Sequence, residues 1–140
     1  MQTTYTGLRL DETAKTSEIQ TLQSKYGLTQ VRTYIGVQAK KERLKAEVST
    51  AGTLHVAAPL ILDNAVPMYS FLALSADHDH DEGLLRLSEI TNLISKARIV
   101  VLPRVFRANS QSGNALIALS WSWFVAGTPT IVVNRMYIGK

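Results

Sequence analysis

Six consecutive side chains able to bind a cation, Asp77-His78-Asp79-His80-Asp81-Glu82, are the densest chemistry in the sequence. In an extended segment residues two apart share a face, so His78 and His80 could chelate one zinc or nickel ion, with an acid completing the site. Two near histidines without a distant third ligand bind weakly. A solvated polar loop is the favoured reading, and no cofactor is expected. Ser110 and Ser112 are candidate nucleophiles, but a serine hydrolase needs a histidine held against the serine and an acid orienting that histidine. No Gly-x-Ser-x-Gly elbow surrounds them, and no histidine follows His80. Arg104 and Arg107 could bind an anion, although arginines beside a strand end are more often simply exposed. His55 lies in an apolar run, where a histidine is more often a hydrogen-bonded core residue than a base or a ligand. The chain has no cysteine, which excludes disulfides, thiolate metal sites and a cysteine nucleophile together. Neither Gly-x-Gly-x-x-Gly nor a P-loop pattern occurs, so nucleotide binding has no motif.

Groups like these act only when a folded domain positions them, and 140 residues suit a single domain spanning 1–140. Hydrophobic residues at 46% and charged residues at 19% are a globular composition rather than a disordered one. The net charge of +4 is spread along the chain and acts as a solubility term. The dense basic stretch Lys40-Lys41-Glu42-Arg43-Leu44-Lys45 carries its own acid and no aromatic stacking partner, so it reads as the solvated face of a helix and no nucleic-acid partner is expected. No apolar run approaches the roughly 20 residues that cross a membrane, and Met1-Gln2-Thr3-Thr4 lacks the order of a secretory signal. A cytoplasmic location without membrane contact is the expectation.

The periodicity predicts a surface helix over Asp11 to Tyr26, with Ile19, Leu22 and Tyr26 inward and Gly27 as its cap. Val31 to Ile35, Thr53 to Ala58, Tyr69 to Ser75, Arg98 to Leu102 and Thr130 to Asn134 read as strands, the last two as buried parallel ones. A second helix is predicted from about Gln38 to Ser49, with Leu44 and Val48 on its inner face. Gly113 to Gly127 is helical and apolar on every side, which asks for cover on both faces. Strands alternating with helices argue for an α/β fold with a parallel sheet and right-handed crossovers.

Several segments in this order resemble the CHAT family, whose fold is that of caspase-like cysteine peptidases. Leu54-His55-Val56-Ala57-Ala58-Pro59-Leu60 stands where the family has Leu-His-x-Ala-Thr-His-Gly, and Pro67-Met68-Tyr69-Ser70 with the apolar run after it matches the next family segment. Glu82-Gly83-Leu84-Leu85 with Glu89-Ile90 is similar to the family's Asp-Gly-Leu-Leu and Glu-Ile. Val101-Leu102-Pro103-Arg104-Val105-Phe106-Arg107 stands at Val-Leu-Ser-Ala-Cys-Glu-Thr, and Phe124-Val125-Ala126-Gly127 and Val132-Val133-Asn134-Arg135-Met136 match the closing helix and strand. Gly36 to Glu47 also follows a family stretch, so the resemblance covers most of the chain.

The resemblance implies a three-layer α/β sandwich with a mostly parallel sheet, a caspase-like core in truncated or minimal form. In the family a histidine and a cysteine at the C-terminal ends of neighbouring strands form a protease dyad. Here the dyad histidine aligns with Pro59 and the cysteine with Val105. Proline has no titratable group and valine no nucleophile, so the expectation is no enzyme but a structural or protein-interaction module. The joint replacement of dyad and flanking loop has the pattern of drift or of wholesale redesign, as in an engineered or reconstructed minimal fold. The alternative from another class is a residual hydrolase using Ser110 or a metal held by His78 and His80.

Trp121 and Trp123 lie two apart on a helix and point about 200° apart, so one sheet cannot cover both. Either the second indole packs elsewhere in the chain, or it marks a subunit interface, where tryptophan is enriched. A homodimer, or another protein partner, is the expected assembly.

Overall fold

A computed structural model describes residues 3–7, 24, 31–76, 82–108 and 113–134. The predicted helix over Asp11 to Tyr26 lies outside the described residues except for Ser24.

The strands are β1 (Thr3–Gly7), β2 (Val31–Ile35), β3 (Thr53–Ala57), β4 (Leu60–Leu62), β5 (Phe71–Ala73), β6 (Leu84–Arg86), β7 (Ile99–Ala108) and β8 (Thr130–Asn134). They form one eight-stranded sheet. β2, β1, β3, β7 and β8 run parallel in that order, with Tyr5 beside His55, His55 beside Val101 and Val101 beside Val132. β4 continues parallel along the far half of β7, and β5 and β6 add an antiparallel flank beyond it. The protein is therefore α/β with a mostly parallel sheet and the arrangement of a caspase-like core.

Among the described residues, helices α1 (Lys41–Val48), α2 (Leu87–Ile90) and α3 (Asn114–Ala126) pack with this sheet. Leu44 and Val48 of α1, Leu87 and Ile90 of α2, and Leu119 and Trp123 of α3 join Leu54, Val56, Val100 and Leu102 of the sheet in one buried cluster. Strand periodicity explains the choice of sheet residues: Leu54 and Val56 are buried while Thr53 and His55 between them are only partly so. Tyr34 fastens β2 to α1 by donating its hydroxyl to Glu47 Oε1 at 2.6 Å.

Two predicted strands differ in extent. Tyr69 falls in a 3-10 turn, Pro67–Tyr69, because Pro67 supplies a fixed φ at its start, and the strand itself is Phe71–Ala73. β7 runs six residues past the predicted end at Leu102 to Ala108. Pro103 interrupts the apolar run in the sequence but not the strand, because the β7–β8 register shifts between Leu102 and Arg104 and asks no ladder bond of the proline.

The α3 termini are closed from outside the helix. Gly113 at its start has no capping side chain, and Asn64 Oδ1 accepts the Ala115 N–H at 3.0 Å instead. At its end Gly127 adopts φ 116° and donates to Trp123 O and Phe124 O. Ser95 clasps the same end, donating its N–H to Ala126 O at 2.7 Å and sharing a 2.7 Å hydroxyl bond with Thr128.

Candidate functional site

The stretch aligned with the family dyad begins where β3 gives way to β4. Both pair with β7 in parallel, His55 opposite Val101 and Leu60 opposite Val105, and the chain between them breaks step at Ala58-Pro59. Proline explains the break, since it has no N–H to offer a ladder. Its carbonyl is used, accepting the Ala73 N–H at 2.9 Å. Pro59 thus lies in the break between β3 and β4, one residue before the Leu60–Val105 pair.

Pro59 lies two residues past the end of β3, as expected of a strand end, whereas Val105 falls inside β7 rather than at its end. β4 continues to Leu62 and β7 to Ala108, and β5 pairs along β4 with Leu60 opposite Leu72. Open parallel sheets hold ligands in a crevice beyond the strand ends, where the chains diverge. Here the β3–β7 ladder stops at His55–Val101 and the β4–β7 ladder resumes at Leu60–Val105, so the sheet continues past Pro59. Two irregularities interrupt the β7 register: one between Leu102 and Arg104 toward β8, and one that leaves Phe106 unmatched toward β4, where Leu60 pairs with Val105 and Ile61 with Arg107. Bulges next to a site re-aim or terminate the strand. Here they flank the position aligned with the cysteine on both sides.

Arg104 and Arg107 are likewise in β7 rather than in a loop after it, Arg104 opposite Asn134 and Arg107 opposite Ile61. His55 is partly buried in β3, between Tyr5 and Val101 in the sheet. His78, His80, Ser110 and Ser112 lie outside the described residues. Among the described residues no group of three or more His, Asp or Glu side chains is placed to hold a metal ion.

A family model for the CHAT domain matches residues 3–140. The chain belongs to the CHAT domain family. Among curated proteins no match was found. As a CHAT domain it is related to caspase-like proteases. No helix among the described residues is long and apolar enough to cross a membrane.

Polar anchoring beyond the end of β4 is a feature the motifs did not signal. Asp63 Oδ1 accepts the N–H groups of Ala65 and Val66 at 2.9 Å, and Ser70 Oγ accepts the Asp63 N–H at 2.9 Å. Asp63-Asn64 ahead of Pro67 is turn chemistry that the residue types alone could have signalled. The turn it builds delivers Asn64 to the start of α3.

The basic stretch on α1 also has a defined counterpart. Lys41 Nζ lies 2.7 Å and Lys45 Nζ 3.6 Å from Glu89 Oε1, while Glu89 Oε2 accepts the Arg86 N–H at 3.0 Å. Burial pushes the Glu89 carboxyl upward, but the Lys41 hydrogen bond, the Arg86 N–H and the two lysine charges outweigh it and hold the group below its ordinary value. The basic face is tied down by an acid from α2.

Proposed function

We propose that this CHAT domain has no peptidase chemistry and acts as a structural or protein-interaction module. The observation that carries the reading is the pair Pro59 and Val105. A thiolate nucleophile and an imidazole base cannot arise from these two side chains, and the chain has no cysteine elsewhere to supply one. The pairing of Leu60 with Val105 on one side and with Leu72 on the other supports it further, because an oxyanion site needs backbone donors free to face the substrate.

Turnover of peptide and ester substrates by the purified chain, with and without zinc, tests this reading. The expected result is no hydrolysis above background. Hydrolysis abolished by Ser110→Ala, or by a chelator together with His78→Ala, would replace it with the hydrolase alternative.

A further inference from the structure

α3 is apolar on its outward face as well as on its inward one. Its inward face is Ala115, Leu119, Ser122, Trp123 and Ala126, so the side turned to the core includes a serine, whose hydroxyl bonds back to Ala118 O at 2.8 Å. Its outward face carries Ile117 at 70% exposure, Trp121 at 53%, Phe124 at 52% and Val125 at 51%. The spacing of four, three and one puts these four on one stripe about 12 Å long. No charged residue occurs anywhere in the helix. A helix facing solvent normally turns charged and polar residues outward, so this face is built to be covered.

We propose that the outer stripe of α3 is the self-association surface of this chain and that a second copy covers it. The inference rests on reading the domain as an interaction module and names its partner. The four side chains offer roughly 500 Å² of apolar surface per chain, in the range of the largest patches on soluble proteins. A symmetric pair would bury about 1,000 Å², which reaches the lower bound of a specific interface. Two-fold pairing is self-complementary, with Trp121 at the axis and Ile117 of one copy against Phe124 and Val125 of the other. The neutral stripe meets its own copy without like-charge repulsion, whereas it offers a charged partner nothing to pair with. An interface of this size gives modest affinity, so dimer and monomer both become visible within the accessible concentration range.

Sedimentation or light scattering of the whole chain from low micromolar to several hundred micromolar tests the proposal. The expected result is a mass rising from 15.4 kDa toward twice that value, accompanied by a blue shift of the Trp121 emission. Trp121→Glu and, independently, Ile117→Glu should each remain monomeric over the range, with the blue emission of buried Trp123 reporting that Trp121→Glu has folded and far-UV circular dichroism doing so for Ile117→Glu. A wild-type chain that stays at monomer mass, one that forms only larger aggregates, or folded variants that dimerise like the wild type would overturn it. Hydrolytic activity in the substrate assay would count against the module reading while leaving the mass measurement unchanged, so the two failures are distinguishable.

Discussion

Asn64 accepts a 3.0 Å hydrogen bond from the N–H of Ala115, joining the turn after β4 to the first turn of α3 across 51 positions of sequence. Both residues are buried, so water cannot replace the bond when the carboxamide is removed. Asn64→Ala should lower stability by about 1–2 kcal/mol, the cost of a lost helix cap with a stranded donor. A urea midpoint unchanged by the substitution would mean that α3 is held by its packing alone.

Gly127 and Gly36 separate two costs of adding a methyl group. Both have positive φ, 116° and 61°, but a Cβ at Gly36 meets nothing within 4 Å, whereas at Gly127 it would lie 2.8 Å from Ser95 O. Gly36→Ala should cost about 1–2 kcal/mol from backbone strain. Gly127→Ala should cost clearly more, because Ser95 is pinned by its bonds to Ala126 and Thr128 and cannot give way. Thermal melting of the two variants side by side makes the comparison, and equal losses would show that the clasp yields.

Rebuilding the dyad alone should not restore peptidase function. Pro59→His with Val105→Cys returns both side-chain types, but Val105 stands within the β4–β7 ladder three residues before the strand ends. We expect the double variant to cleave fluorogenic peptides no faster than the parent. Robust cleavage would show that the scaffold tolerates the chemistry and that only the dyad is missing.

Glu89 gives a pH dependence with a definite sign. A carboxyl held below its ordinary value stabilises the fold fully above the unfolded pKa, near 4.3 for a glutamate, and that contribution is lost as pH falls through the lower folded value. Glu89→Gln should therefore be less stable than wild type at neutral pH, by about 0.5–1 kcal/mol for a partly exposed ion pair. The gap should close in acid. Denaturation curves from pH 7 to about pH 3 check this, and a gap that is constant or widens on acidification would contradict it.

The long elements were legible because their residues repeat a period: α1, α3, β2, β3 and β8 lie where alternation or helical spacing puts them. Three-residue strands such as β4 and β6 contain too little repeat to be seen, and they exist because β7 and β5 offer edges to pair with. The far half of β7 was hidden for another reason. Pro103, Arg104 and Arg107 read as loop chemistry, and only the register shifts on both edges let a strand contain them. At the candidate site Pro59 precedes the Leu60–Val105 pair, but the continuation of β7 past Val105 depends on its pairing with β4, which is not written in any local pattern. The opposed directions of the two indoles followed from helical geometry, with Trp123 buried and Trp121 half exposed.

The Leu74 N–H donates to Gly83 O at 2.8 Å, directly beyond the Ala73–Leu84 pair that ends the β5–β6 ladder. Gly83 meets this approach with φ 77°, where any Cβ would come within 2.5 Å of Leu74 O. The two strands are thus joined one pair further, at Leu74 and Gly83. Adding residues between two points that are already joined costs only about 0.6 kcal/mol per doubling of the length enclosed. That makes this junction a natural port for grafting: an epitope, a reporter peptide or a small foreign domain can be spliced in there while Leu74 and Gly83 keep the host sheet shut.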